Sequence, residues 1–275
     1  MLCKFWPPIW NIDSNEWNAF RLGRCQCIDD VTIVGKFDPK QINCNKKAFE
    51  ESLRLDERAL KSKNAEDFRF EDFSLTACYI NIQSFNAHIQ DLQKDEQAKR
   101  CDIIGLGETW LESEPENPFP GYFATYDNQG RGKGLAYFCK EKPSFLNHRA
   151  GQNYTFLCFK LKSYNFIFTY ISSRAKFTDY VTDLNEMVDK NEPLILVGDA
   201  NVNADISQNP SHPFITFMKR KGFAQLVKKA SHDEGHIIDV VYIKSNPENV
   251  QVFQKPVPYS DHDVLFIGIK KELQE

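Results

Sequence analysis

Eight side chains able to do chemistry stand at the ends of apolar runs. Asn81 closes LTACYIN, Glu108 follows IIGLG, Tyr170 closes FIFTY, and Asp199 with Asn201 follows LILVG, while Asp239 interrupts IIDVVYI and Asp261 and His262 stand just before VLFIGI. Strand ends are where a rigid sheet can hold side chains convergently at one rim. Carboxylates gathered in a half-buried cleft repel one another, and a cation or protonation must offset that repulsion. An oxygen-rich set suits Mg²⁺, so the pattern predicts a Mg²⁺ site. Singly, each residue has a plainer reading: Gly198-Asp199 has the makings of an ordinary turn, and His262 alone says little. Asp239 is harder to dismiss, because a charge inside an apolar strand is rarely buried without a partner. Taken together, the set points to a site.

The elements that would position these residues are short and apolar. Strands are predicted at 75–82, 103–107, 135–139, 156–161, 166–171, 194–198, 237–243 and 264–270, each rich in Ile, Val, Phe, Tyr or Leu. Helices are predicted at 84–99, 178–189 and 211–221, the last capped by Ser211. So many strands with so few helices between them argue against a simple doubly wound parallel sheet. Two packed sheets with helices on their outer faces fit better. Before residue 70 the pattern is sparse: a strand-like Val31–Phe37, an amphipathic segment at 46–62 with Phe49, Leu53 and Leu60 on one face, and a polar stretch at 61–70 expected to be a linker.

Composition sets further bounds. With 41% hydrophobic and 26% charged residues, the 275-residue chain has ordinary globular usage, which excludes collagen-like, coiled-coil and wholly disordered readings. A net charge of -4 argues against coating nucleic acid by charge alone. The acidity belongs to residues 71–275, which hold 22 basic and 27 acidic side chains, as expected where metal-binding carboxylates gather. No apolar run approaches the roughly 18 residues of a spanning helix, and MLCKFWPPIW lacks the pattern of a signal peptide, so no membrane partner is expected. The eight cysteines form no CxxC pair. Cys78, Cys101, Cys139 and Cys158 lie in or beside apolar runs and are expected to be reduced core residues of an intracellular protein. The single Cys25-x-Cys27 does not close a zinc tetrahedron.

These residues resemble the endonuclease/exonuclease/phosphatase superfamily, which includes deoxyribonuclease I and the apurinic/apyrimidinic endonucleases. The likeness runs in order through Asn81 in ACYINIQS, Glu108 in IIGLGETWL, Gly198-Asp199-Ala200-Asn201, Asp239 in IIDVVYI and Ser260-Asp261-His262. Glu-Thr-Trp-Leu at 108–111, GRGKGLAYF at 130–138 and the His-x-x-x-His-x-x-Asp run from His232 to Asp239 resemble the endonuclease domains of non-LTR retrotransposons. The resemblance implies an α+β fold, a four-layer α/β/β/α sandwich of two packed mixed β-sheets flanked by helices, over residues 71–275. It implies Glu108 as principal Mg²⁺ ligand aided by Asn81 and Asp261, with Mn²⁺ as a substitute. Asp199 and Asn201 would orient or activate the attacking water. Tyr170 would contact the scissile phosphate, and His262, oriented by Asp239 or Asp261, would act as base or phosphate stabiliser.

Some positions depart from the family. Ala200 stands where Phe is common, Gln83 where some members carry a second metal-binding Asp, and Ser172 and Ser173 where Pro or Arg is usual. Residues 1–70 weakly resemble the extreme C-terminal end of PIF-type DNA helicases, with Arg24 at the position of an ATP-reaching arginine, which makes 1–70 a helicase-like remnant and linker. No G-x-x-x-x-G-K-[ST] loop occurs, so ATP is not expected as a partner. DNA is, with Arg131, Lys133, Arg174, the 219–221 cluster and the Lys228-Lys229 pair as candidate backbone contacts. The expectation is a nuclear, Mg²⁺-dependent DNA endonuclease of low sequence specificity. Its alternatives are a phosphatase or phosphodiesterase on a small-molecule or lipid phosphate, and a decayed DNA-binding remnant.

Overall fold

A computed structural model describes residues 46–65, 68–188 and 193–270. The chain forms two units, Met1–Lys61 and Ser62–Glu275. The amphipathic segment is a helix, α1 (Lys46–Asn64), most of which belongs to the first unit, with an Arg54–Glu51 pair at 2.7 Å on its surface. Arg24, the Cys25-x-Cys27 pair and the strand-like 31–37 lie outside the described residues.

The central strands of the second unit are buried on both faces, which is why their sequences run apolar without alternation. In β1 (Phe73–Asn81), Leu75, Ala77 and Tyr79 face one cluster while Cys78 and Ile80 face another. β2 (Ile103–Gly107), β3 (Phe123–Asp127) and β4 (Leu135–Cys139) follow, then β5 (Ser144–Gly151), β6 (Tyr154–Leu161), β7 (Tyr164–Ile171) and β8 (Leu194–Asp199). Last come β9 (Ala224–Gln225), β10 (Asp239–Lys244), β11 (Val250–Lys255) and β12 (Val264–Lys270). They form two six-stranded sheets, ordered β11-β12-β1-β2-β4-β3 and β5-β6-β7-β8-β10-β9. Each sheet has one parallel pair at its centre, β1 with β2 and β7 with β8, and antiparallel pairs elsewhere.

Parallel neighbours need a crossover, and helices supply it. α2 (Phe85–Leu92) and α3 (Glu96–Arg100) join β1 to β2, and α4 (Phe177–Val188) joins β7 to β8. Phe85, Leu92 and Ala98 cover the outer face of the first sheet. On the second, Tyr180, Leu184 and Met187 of α4 pack with Phe214 and Met218 of α5 (Pro213–Arg220). Between the sheets lie Tyr79, Tyr137, Phe159, Phe168, Val197, Val241 and Leu265. This is the four-layer sandwich. Cys78, Cys101, Cys139 and Cys158 are free and buried within it, and no described helix is long and apolar enough to cross a membrane.

Two parallel pairs running the same way bring four strand C-termini to one rim. The approach is closest at β8, where a Cβ on Gly198 would fall on the Thr169 carbonyl oxygen of β7. Backbone cannot move aside as a side chain can. Gly198→Ala is therefore expected to cost about 3 kcal/mol through overpacking, read as a lowered urea midpoint with unchanged m.

The structure differs from expectation at several points. The helix predicted at 84–99 is two helices, because Asp95 starts a new one: its Oδ1 accepts from the amides of Gln97 and Ala98, at 2.9 and 3.1 Å. The cap of α5 is His212, not Ser211; its Nδ1 accepts from the Phe214 amide at 3.3 Å, with Pro213 next to it. Within the stretch expected to be a linker, α1 runs on to Asn64, and Phe68, 3% exposed, stacks on Phe73 at 5.1 Å. β10 begins at Asp239 instead of carrying it inside.

Candidate active site

Alternation along the strands fixes which side chains meet at the rim. Asn81, Tyr170 and Asp199 follow Tyr79, Phe168 and Val197 by two residues, so they continue the face that points between the sheets. Asp239 lies directly opposite Asp199 in the β10–β8 register, which sets two carboxylates side by side. Glu108 and Asn201, one and two residues past their strands, turn back with φ of +48° and +47°. Left-handed backbone at non-glycine residues is costly and tends to gather at functional sites.

The rim is one connected cluster. Asn81 Nδ2 donates to Glu108 Oε1 at 3.1 Å and to Asp199 Oδ2 at 2.9 Å. Asp199 also accepts from the Asn201 amide at 2.7 Å and from Asn201 Nδ2 at 3.1 Å, and Asn201 Nδ2 is anchored on the Ile171 carbonyl at 2.8 Å. Burial and then the nearby Glu108 and Asp199 carboxylates hold the Tyr170 hydroxyl well above the usual tyrosine range, so it stays protonated beside them. His262 Nδ1 lies 2.8 Å from Asp239 Oδ2, and its Nε2 lies 3.8 Å from Asp261 Oδ1. Ser260 ties this loop to β1, donating to the Asn81 carbonyl at 2.8 Å and accepting from the His262 amide at 3.1 Å. All eight residues singled out from the sequence thus converge.

Three neighbours were given no role in the sequence reading. Tyr79 looks like a core residue, yet its hydroxyl accepts from the Asp199 amide at 3.1 Å. Trp110 donates its indole N–H to Glu108 Oε2 at 3.1 Å; a Trp two residues after the Glu was the available signal. His232 lies 3.4 Å from Asp261. Two of the departures are also placed. Gln83 turns at φ +45° and gives its amide to Asn81 Oδ1 at 3.3 Å, while Ala200 is buried in the helix-side core of the second sheet.

Charge is heavily concentrated here. Burial first, then the Asp239 carboxylate, pushes Asp199 up to about 7 against the partial relief of His262. Burial alone would depress His262, but Asp239, by charge and hydrogen bond, lifts it to about 10. Asp199 lies above the about 3.9 of an unfolded aspartate, so its contribution to stability is complete below about pH 4 and is lost as pH rises through 7. In metal-free protein, the stability of Asp199→Asn relative to the parent should therefore rise between pH 4 and pH 8. Urea unfolding of both across that range measures it; parallel pH profiles would contradict the assignment.

The residues fit a divalent cation. Asp239 Oδ1 is buried and accepts no hydrogen bond among the described residues. Asp199, Asp239 and His262 offer ligand atoms within 4.8 Å of one another, and Glu108 and Asp261 extend the carboxylate set. Excess negative charge that a lone imidazole does not balance is what a cation would neutralise.

Two packed mixed sheets with a carboxylate, amide and His–Asp cluster at one rim define a phosphoester hydrolase. The Endonuclease/Exonuclease/phosphatase family model matches residues 78–262, well over half of the chain, and the chain belongs to this family. No curated protein matches the sequence. Among solved structures, the endonuclease domain of TRAS1, a telomere-specific non-LTR retrotransposon, aligns over 71% of this chain and 98% of its own at 14% identity, with a TM-score of 0.56. An AP endonuclease from Archaeoglobus fulgidus aligns over 71% and 99% at 16% identity, TM-score 0.55. The 3' phosphatase NExo from Neisseria, bound to product DNA hairpin, aligns over 72% and 100% at 14% identity, TM-score 0.53. At these identities the likeness is one of fold.

Proposed function

We propose that the chain is a Mg²⁺-dependent DNA endonuclease of mobile-element or helicase-associated type, nicking duplex DNA with little sequence selectivity in the nucleus. The reading rests on one observation: the unbroken run of contacts from Glu108 through Asn81, Asp199 and Asp239 to His262. Glu108, Asn81 and Asp261 would hold Mg²⁺, with Mn²⁺ able to replace it. When bound, the ion supplies charge neutralisation at the phosphoryl oxygens and acidifies water. The chain's own groups do the rest. Asp199 and Asn201 orient or activate the attacking water, the two held to each other at 2.7 Å. Tyr170 donates its hydroxyl to a phosphoryl oxygen, and burial keeps that hydroxyl protonated. The imidazolium of His262, steadied by Asp239, stabilises developing negative charge.

DNA is favoured by the TRAS1, Archaeoglobus and Neisseria likenesses and by the loop between β3 and β4. Arg131 lies 5.9 Å over the Trp110 ring, and the Lys133 carbonyl accepts from the Trp110 amide at 2.9 Å, so both bases sit beside the tryptophan that holds Glu108. Lys219 and Arg220 occupy the last turn of α5 instead, where they complement the helix dipole. Phosphate contacts give affinity without base choice. Arg131→Ala and Lys133→Ala are each expected to weaken duplex binding evenly across sequences and to reduce the salt slope of log K by about 1. Fluorescence anisotropy at several salt concentrations checks this. The functional test is a substrate panel: supercoiled plasmid, a 3'-phosphorylated hairpin, phosphoinositide and sphingomyelin. Nicking of plasmid supports the endonuclease; turnover of a lipid phosphate without nicking would replace it, and DNA binding without hydrolysis would indicate a decayed module.

A further inference from the structure

His232 has no part in the reaction above, yet its loop is tied to the segment that carries His262. It precedes β10 in a loop that runs against the Ser260–Asp263 segment: the Asp263 amide donates to the Ser231 carbonyl at 2.8 Å, and the Asp233 amide to the Asp261 carbonyl at 3.1 Å. The Ser231 hydroxyl, buried, accepts from the amides of Ile238 and Asp239 at 3.2 and 2.9 Å, which fixes the loop to the start of β10. The two imidazoles meet edge to face, with ring centres 4.8 Å apart. Asp261 lies between them, Oδ2 at 3.4 Å from His232 Nε2 and Oδ1 at 3.8 Å from His262 Nε2.

A pair of histidines and an aspartate is also a set that could bind a transition metal. Tautomer chemistry decides against that for His232. Its Nδ1 lies 3.1 Å from the Glu234 amide, an N–H that can only donate, so Nδ1 offers its lone pair and the ring proton sits on Nε2. A protonated Nε2 cannot ligate a metal. It can donate to Asp261.

We infer that His232 is a positioning residue: its Nε2–H holds the Asp261 carboxylate in the orientation in which it serves the metal and His262. The inference rests on the reading of Asp261 as a metal ligand. Groups that steady a ligand in this way typically contribute 10–100-fold to metal affinity or activity, because a carboxylate left to rotate loses the alignment that the site was built around.

The test uses Mn²⁺ alone as the probe, by calorimetric titration, together with plasmid nicking, for the parent, His232→Ala, His232→Gln and Asp261→Ala in the full chain. The expected result is Mn²⁺ affinity weakened about 10-fold or more in His232→Ala and restored to within about 3-fold of the parent in His232→Gln, whose amide N–H reaches a similar point. In an Asp261→Ala background, His232→Ala should weaken Mn²⁺ no further, since the two act as one unit. An alanine variant that binds Mn²⁺ like the parent would overturn the inference, as would a glutamine variant as weak as the alanine one, which would make the imidazole itself a ligand. If Asp261→Ala leaves Mn²⁺ affinity unchanged, it is the assignment of Asp261 that fails. Nicking distinguishes the substrate reading from both.

Discussion

Glu108→Gln is expected to lower the rate of phosphoester hydrolysis by about three orders of magnitude, equivalent to about 4 kcal/mol of transition-state stabilisation. Glu108 stands one residue beyond β2 in a left-handed conformation, φ +48°, where its carboxylate meets Asn81 Nδ2 and Trp110 Nε1 at 3.1 Å each. Two neutral donors orient it without cancelling its charge. Glutamine keeps the shape but removes the charge that a divalent cation needs, and it turns one acceptor into a donor facing a donor. The local hydrogen-bond loss is worth about 1 kcal/mol, small beside the effect on hydrolysis, so the variant should stay folded. Calorimetry should show Mg²⁺ affinity falling with the rate, while the urea midpoint moves little. A variant that loses activity only because it unfolds would fail this comparison.

Asp239→Ala should damage both activity and fold. The carboxylate is fully buried, and His262, 3% exposed, depends on it at 2.8 Å. Removing one partner of a buried pair leaves the other without compensation, at a cost of about 3–5 kcal/mol. The variant can limit that loss only by releasing the imidazole proton. With Asp239 gone, only the Asp199 and Asp261 carboxylates oppose burial, and the His262 pKa should fall from about 10. Under the proposed role of His262, a weakened imidazolium stabilises developing negative charge less well, and a rate loss of about 10²–10⁴-fold is expected. Imidazole resonances followed by NMR against pH read the change directly. Because His262 is raised, its share of stability is complete below about pH 6.5 and fades as pH rises through 10, so the penalty of Asp239→Ala should be largest below neutrality and shrink in alkali.

How much was legible before the structure follows from burial. Central strands packed on both faces run continuously apolar, so β2, β4 and β12 could be bounded from sequence to the residue, and the polar side chains at the ends of β1, β2, β7 and β8 stood out. The edge strands gave no such pattern. β5, SFLNHRAG, is exposed over most of its length, and β3 is half-buried, so neither has the apolar run that marks a central strand. The partner of His262 was likewise open, since Asp239 and Asp261 are both plausible in sequence. The folded site decides it: Asp239 Oδ2 lies 2.8 Å from His262 Nδ1, and Asp261 Oδ1 lies 3.8 Å from the other nitrogen. Tyr79 was hidden because a tyrosine in an apolar strand looks like core, and it is core; only its hydroxyl reaches the rim. His232 was visible only as part of a spaced His/Asp run, whereas its contact with Asp261 depends on the loop pairing before β10.

The central claim is that one rim of this sandwich hydrolyses phosphodiesters with a divalent cation held by its carboxylates. Its most direct test is the rate of supercoiled-plasmid nicking as a function of Mg²⁺ concentration, for the parent and for Glu108→Gln. A rate that vanishes in EDTA, returns and saturates with added Mg²⁺ in the parent, and stays near background for Glu108→Gln is the predicted result. Nicking that persists without divalent cation, or runs at the parent's rate in Glu108→Gln, would contradict it.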